Sequence, residues 1–277
     1  MKKIKNTLIR PPLKWAGNKF RILKYIKKRL PEGKRLVEPF AGSAAISLNT
    51  DYPEYVINDT NSDLINLYKL IKADVDEFID YSRQFFIDEY NCEEQFYLLR
   101  RIFNMTTDIK LKTALFLYIN KYGYNGLCRY NASGKINVPF GRYKKPYFPE
   151  KELHVLASKL SHSKLYSLDF EDVFKKAKAG DVFYCDPPYV PLSDTSNFTA
   201  YSAGGFSLEQ QQRLADLSLA LSKQGIPVVV SNHFTPITQK LYRHARKYKV
   251  EVRRLISCDG ENRNMAKEVI AVYPANR

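Results

Sequence analysis

Short apolar runs that end on small or acidic residues set the rhythm of this chain. Arg35 to Phe40 (RLVEPF) closes on Ala41-Gly42-Ser43, and Tyr55 to Asn58 (YVIN) closes on Asp59 ahead of a helix predicted over Ser62 to Lys72. Two successive strand-to-helix units predict an α/β protein with a mostly parallel sheet. From Asp74 to Tyr122 the strand rhythm stops, and Phe, Tyr, Leu and Ile recur at mixed three- and four-residue spacing, which reads as amphipathic helix. Gly123 to Tyr147 is dense in Gly, Asn, Tyr and Arg, with Ala132-Ser133-Gly134 as a hairpin turn.

The α/β rhythm then resumes with strands predicted at Lys164 to Leu168, Asp181 to Cys185 and Ile226 to Ser231. Lys247 to Leu255 and Lys267 to Tyr273 alternate as closing strands of an antiparallel edge. A sheet begun before residue 60 is thus completed after residue 160, around an insertion. The expected organisation is a Rossmann-like, mixed, mostly parallel sheet domain over 1–72 and 151–277. A mainly helical insertion covers 73–150, with a hairpin near 123–145.

Composition adds a partner to this outline. The chain has 277 residues, 44% apolar and 26% charged, within the range of globular proteins. Its net charge of +15 favours polyanions. The charge is clustered: Met1 to Pro31 holds eleven Lys or Arg and no acid, and Ile109 to Pro149 holds eight more with no Asp or Glu. A transit peptide is a competing reading of the N-terminus, disfavoured by Pro11-Pro12 and by the lack of Ser enrichment. No apolar run has the length of a membrane span, so no membrane partner is expected, and a cytoplasmic location is. Cys92, Cys128, Cys185 and Cys258 are dispersed, as are His154, His162, His233 and His244, so neither a disulfide framework nor a metal site is expected.

The sharpest chemical signal is Asp186-Pro187-Pro188-Tyr189, directly after the apolar Val182 to Cys185. Ligands of open α/β sheets bind beyond the carboxyl ends of strands. Two consecutive prolines fix the backbone and remove two N–H donors, which predicts carbonyls turned outward without an internal partner. The Asp186 carboxylate and the Pro187 carbonyl together suit an amino group conjugated to an aromatic ring. Holding both N–H bonds favours a tetrahedral nitrogen, whose lone pair can attack a sulfonium methyl in line. Tyr189 would stack on the ring. The bland alternative is a proline-rich turn.

A second element, Glu38-Pro39-Phe40-Ala41-Gly42-Ser43-Ala44, is a strand, a small-residue turn and a helix start that lets a ligand approach the backbone. Asp59, ending the next strand, supplies an acceptor where a ribose diol lies in nucleotide-binding sheets.

With these elements in this order, the chain resembles the Dam family of DNA adenine methyltransferases over nearly all its length. The motifs are Lys14-Trp15-Ala16-Gly17-Asn18-Lys19, the Glu38-to-Ala44 turn, Asp59-Thr60-Asn61-Ser62-Asp63-Leu64, Tyr122 to Tyr147, and Asp186-Pro187-Pro188-Tyr189. The resemblance implies a class I methyltransferase fold and methylation of adenine N6 in GATC of double-stranded DNA, with S-adenosylmethionine as donor and the target nucleotide flipped out. By motif position, Trp15, Lys19, Phe40, Asp59, Phe170 and Asp186 would bind the cofactor. Asp186, Pro187 and Tyr189 would act on adenine. Lys14, Tyr124, Asn125, Leu127, Arg129, Pro139, Arg142 and Tyr143 would face DNA, with Arg129 on a guanine.

Two departures stand out: Ala44 and Asn18 occupy places often taken by Gly in the family. Rival readings are an RNA or protein-glutamine methyltransferase, a DNA-binding protein without catalysis, and a cytosine-carbon methyltransferase. Asp at the first motif position and the basic insertion oppose the first, and the surviving reactive groups oppose the second. Cys185, which precedes Asp186 on a strand, opposes the third. A monomer is expected.

Overall fold

The computed structural model describes residues 8–190, 206–253 and 265–276. Among them the chain runs α1 (Leu23–Lys27), β1 (Arg35–Glu38), α2 (Ala45–Leu48), β2 (Glu54–Asn58), α3 (Ser62–Ala73), α4 (Val75–Arg83), α5 (Glu93–Met105), α6 (Ile109–Tyr122) and α7 (Glu150–Leu160). It continues through β3 (Ser163–Tyr166), α8 (Phe170–Phe174), β4 (Asp181–Cys185), α9 (Leu208–Lys223), β5 (Val228–His233), α10 (Pro236–Leu241), β6 (Arg246–Arg253) and β7 (Met265–Tyr273). Two compact units emerge. The first comprises the described residues up to Phe20, then Gly42–Asp51 and Asp59–Ser167; the second comprises Arg21–Ala41, Tyr52–Asn58 and the described residues from Leu168 onward.

The second unit carries the mixed, mostly parallel sheet that the sequence predicts, with strands in the order β2-β1-β4-β5-β7-β6. β2, β1, β4 and β5 are parallel neighbours, whereas β7 pairs antiparallel with both β5 and β6. Parallel strands covered on both faces read as unbroken apolar runs. Accordingly β1 and β4 are buried at every position, and Val228, Val229 and Val230 are fully buried in β5. Each such valine contributes about 1.5–3 kcal/mol relative to an exposed side chain. The strand starts are locked by charge: Arg35 and Asp181 are register partners, and the guanidinium donates two bonds, 2.8 and 2.7 Å, to one buried carboxylate. β5 begins at Val228, two residues later than the periodicity suggests. Pro227 has no N–H to give, although its carbonyl accepts from Phe183.

The first unit is helical around α6, which is buried continuously from Thr113 to Tyr122 and packs against α3, α4 and α5. The single amphipathic stretch read between Asp74 and Tyr122 is three helices. Asp74 caps α4 by accepting from the Glu77 N–H, and Asp108 caps α6 by accepting from the Lys110 and Leu111 N–H groups. β3 packs on α3 and α7 in this unit. Between Gly123 and Tyr147 the hairpin takes the form of isolated antiparallel bridges, Tyr130 with Ile136 and Gly123 with Phe140, around a turn at Asn131 to Gly134. No helix among the described residues is long and apolar enough to cross a membrane.

Candidate active site

In the second unit, β4 delivers Asp186 at its carboxyl end, and β5 meets it. The Ser231 hydroxyl donates to Asp186 Oδ1 at 2.9 Å. Having given away its one proton, Ser231 must accept from the Tyr184 hydroxyl at 2.8 Å. Burial pushes the Tyr184 phenol well above its ordinary pKa, which keeps it a donor in this chain.

The residues after Asp186 are clamped. The Pro188 carbonyl accepts from Gln211 Nε2 at 2.7 Å, which corrects the expectation of proline carbonyls without internal partners at this position. The Val190 N–H donates to Asn232 Oδ1 at 3.1 Å, and His233 Nδ1 meets the Val190 carbonyl at 2.8 Å. A carbonyl only accepts, so Nδ1 carries the proton. Asn232 is fully buried and uses all its capacity: Oδ1 also takes the His233 N–H, while Nδ2 donates to Gln211 Oε1 and to the Tyr242 hydroxyl.

Tyr189 itself donates to Glu268 Oε2 at 2.9 Å from β7, and its ring meets His233 edge-on with centroids 4.7 Å apart. Burial first, then the neighbouring carboxylates Asp186 and Glu268, push the Tyr189 phenol well above its ordinary pKa. Cys185 is fully buried, and the same two causes, burial and the Asp186 carboxylate, raise its thiol well above the ordinary value. A protonated, inaccessible thiol is no nucleophile.

Also in the second unit, Phe40 and Phe170 meet at 5.4 Å between centroids, and Phe206 completes a trio at 5.5 Å from Phe40 and 5.3 Å from Phe170. Phe170 is buried while Phe40 and Phe206 keep exposed edges, an apolar seat suited to a flat ring. Sequence reasoning missed Phe206, Ser231, Gln211, Asn232 and Glu268. The first precedes a helix without belonging to it, and the others reach their partners over separations of 21 to 79 residues.

In the first unit, Trp15, Gly42 and Asp59 gather. Gly42 has φ +47°, and a Cβ there would lie 2.7 Å from the Trp15 Nε1, so the indole and the turn touch only because residue 42 is glycine. The Gly42 N–H donates to Asp59 Oδ2 at 2.9 Å and the Asn61 N–H to Oδ1 at 3.0 Å. Burial raises the Asp59 pKa, and these two backbone bonds oppose the rise. Lys19 is buried, with Nζ on the Gly17 carbonyl. Ala44 adopts a left-handed conformation, φ 55°, at full burial, which explains why glycine suits this place and what an alanine costs here, about 1–2 kcal/mol of backbone strain. A carboxylate fixed by two backbone donors, a tight turn and an indole form a cradle that fits a ribose diol.

The residues expected to face DNA all lie in the first unit. Tyr124, Asn125, Arg129, Pro139 and Arg142 are exposed, and Lys14, Leu127 and Tyr143 are half-buried. Lys14 Nζ sits 3.8 Å above the Tyr143 ring and donates to the Lys121 carbonyl at 3.0 Å. The Asn125 N–H donates to the Tyr143 hydroxyl, and the Tyr124 N–H to the Pro139 carbonyl. Arg129 Nη2 donates to both the carbonyl and Oδ1 of Asn137, each at 2.8 Å, and Arg142 pairs with Glu93 at 3.0 Å. Asn125 and Arg142 share a left-handed backbone, φ 51° and 52°.

Side chains that the sequence pattern did not single out hold this segment. Asn104 takes the Ile136 N–H and gives to its carbonyl, Asn120 does the same for Lys14, and Arg100 donates to the Val138 carbonyl. No group of three or more metal-ligating side chains occurs among the described residues. Cys258 lies outside them.

A model of the D12 class of N6 adenine-specific DNA methyltransferases matches residues 15–256. The chain is 49% identical over 261 residues to the DNA adenine methylase of Escherichia coli (strain K12), covering 94% of each protein. It is 49% identical over 262 residues to the DNA adenine methylase of Serratia marcescens, covering 94% of this chain and 97% of that relative. It is 44% identical over 262 residues to that of Vibrio cholerae serotype O1, covering 94% and 95%. By both measures this chain belongs to the D12 class of N6 adenine-specific DNA methyltransferases, within the Dam family.

Proposed function

We propose that this adenine-specific DNA methyltransferase modifies N6 of adenine in GATC of double-stranded DNA, on a nucleotide flipped out of the stack. The observation that carries the chemical part is Asp186, oriented by Ser231, next to a proline–proline–tyrosine turn clamped at Pro188, Tyr189 and Val190. The word GATC rests on the similarity to the Dam enzymes.

S-adenosylmethionine, when bound, supplies a methyl group on a positively charged sulfur. Asp59 would accept hydrogen bonds from its ribose hydroxyls, with Trp15 and Lys19 also contributing, and Phe40 and Phe170 would seat its base. Asp186 accepts a proton-bearing edge of the target amino group, joined by the Pro187 carbonyl, which draws nitrogen lone-pair density out of the ring. Asp186 is held by Ser231, so its acceptor geometry is preorganised rather than formed during the reaction. Tyr189 stacks on the flipped adenine and offsets part of the few kcal/mol lost in unstacking. Arg129 and its neighbours, in a recognition domain spanning 73–150, together with Lys14 from outside it, read base edges and phosphates of the duplex.

Methyl transfer from labelled donor to a duplex with one GATC, beside a duplex with that word scrambled, tests this. Incorporation into the first alone, recovered as N6-methyladenine, is expected. Equal incorporation into both discards the recognition assignment and keeps the chemistry. We further propose that one copy acts alone on cytoplasmic DNA; sedimentation of the protein on the duplex checks its stoichiometry.

A further inference from the structure

The cations of Met1 to Pro31 are only partly absorbed by the site just described. Lys14 and Lys19 belong to it, but α1 and its flanks lie in the second unit. There Leu23 and Ile26 are fully buried, Ile22 nearly so, and Arg21, Lys24, Tyr25 and Lys28 are exposed. Lys24 and Tyr25 stand on α1, Arg21 ends the 3-10 turn before it and Lys28 is the residue just past its last turn, so the exposed positions bracket the buried Ile22, Leu23 and Ile26. No acidic side chain occurs between Leu8 and Pro31, and Lys24 and Lys28 form no ion pair among the described residues.

The face continues onto β6. Arg29 lies 4.3 Å over the ring of Tyr248, and its buried Nε has no hydrogen-bond partner, so the guanidinium is held by the ring rather than by an acceptor. Tyr248 remains 37% exposed, and Arg246, on the same side of the strand by alternation, is exposed too. Lys247 and Lys249, on the other side, are engaged by the Gln239 carbonyl and by Glu251. Lysines on an edge strand guard against edge-to-edge pairing. That explanation covers β6 and leaves the α1 ridge unaccounted for.

We propose that the α1 face, with Arg246 and Tyr248 of β6, is a second DNA-binding surface that grips the phosphates of duplex outside the target word. Cations interleaved with exposed tyrosines, with no acid in the sequence from Leu8 to Pro31, match a phosphate backbone with sugar contacts. From Arg21 to Lys28 the seven steps of α and 3-10 rise span roughly 10–14 Å, the scale of a few successive phosphates of one strand. The proposal rests on the enzyme acting on duplex DNA.

The test is a triple variant, Lys24→Glu, Lys28→Glu and Arg246→Glu, with the glutamine version beside it should charge reversal impair folding. Methyl transfer is measured on a duplex barely longer than the target word and on one of roughly ten times that length. On the short duplex kcat/KM should match the parent. On the long duplex affinity should fall by tenfold or more, and the slope of log affinity against log salt should shrink by about 3, near 0.9 per phosphate lost. An unchanged salt slope overturns the proposal. Equal losses on both duplexes overturn it too, because they place these cations at the target word. Failure of the parent on GATC would instead remove the sequence assignment, while the slopes on long DNA still decide this surface.

Discussion

The turn after β4 and the segment from Tyr124 to Tyr147 are both irregular backbone, yet they are held in opposite ways. At Pro188 to Val190 the anchors Gln211, Asn232, His233 and Glu268 are side chains from α9 or the sheet, and the central ones, Asn232 and Gln211, are completely buried. In the other segment, Asn104 and Arg100 fix the backbone at Ile136 and Val138 and Asn91 the carbonyls of Tyr143 and Lys144, while Tyr124, Arg129 and Arg142 stand in solvent with partners on the surface. Methyl transfer demands placement within a fraction of an ångström, and a low-dielectric polar network supplies it. Base reading demands donors that can leave water and one surface partner for another. On the proposed function, the difference would separate residues that set the rate from residues that set the word.

The largest effect should come from Asp186. Asp186→Ala should lower kcat by roughly 10³-fold or more, beyond the loss from deleting one electrostatic stabiliser, and leave duplex affinity within a few-fold of the parent. Single-turnover transfer and equilibrium binding measured together check this. Retained turnover would sink the mechanism. Next, two asparagines that each imitate a peptide group can be set against each other. Asn232→Ala leaves the Val190 N–H and the Gln211 and Tyr242 partners unpaired in the interior, at about 1–3 kcal/mol per group, and should cut kcat by roughly 100-fold at the active turn. Asn104→Ala releases Ile136 and should raise KM for DNA with kcat nearly intact. If both variants change the same parameter, the contrast between the two regions is wrong.

Arg129 comes third. Arg129→Ala should lose roughly 1–3 kcal/mol of discrimination at one base pair, read as relative kcat/KM on duplexes carrying single substitutions in GATC. A uniform loss on all sequences would make it a phosphate contact. Asn137 presents this guanidinium through Nη2, so Asn137→Ala should blur the same base pair by a smaller amount.

The two regions were also unequally legible in the sequence. The strands β1 and β4 announce themselves because burial on both faces removes alternation, and Asp186-Pro187-Pro188-Tyr189 stands at a strand end where open sheets bind ligands. What clamps that turn was not legible. Ser231, Asn232 and His233 look like the polar end of a strand, and Glu268 like an outward residue of an alternating one. Their partners in and beside the turn lie 42 to 79 residues away, so no local pattern encodes them. The insertion's helices were visible as a whole but not as three, since no Pro or Gly marks their breaks: α6 starts on the Asp108 cap, and α5 follows Cys92, which makes no side-chain cap. Ala44 shows the converse: its place in the turn was recognised, while the left-handed backbone that makes alanine costly there appears only in the structure.

The smallest effect concerns a cation that the sequence hid inside a helix. Lys121 on α6 is only 6% exposed, and burial first, then the nearby Lys14 charge, pull its amino pKa down to about 8 against the opposing pull of Glu152. Its ammonium lies 5.9 Å from the Tyr147 ring centroid. Because the folded value lies below the ordinary 10.5, the unfolded chain keeps this proton over a window where the folded chain has released it. Stability therefore rises with pH between about 8 and 10.5, with a limiting slope of about 1.4 kcal/mol per pH unit for one group. Below 8 both states are protonated and the full desolvation cost is present. Lys121→Met keeps the apolar stem and removes the charge, so it should stabilise the protein at neutral pH and flatten that rise. Urea unfolding across the window, on parent and variant, measures both. A parent already flat there would mean that the ammonium stays charged at the heart of the first unit, and the contrast between a wet recognition surface and a dry interior would have to be redrawn at Lys121.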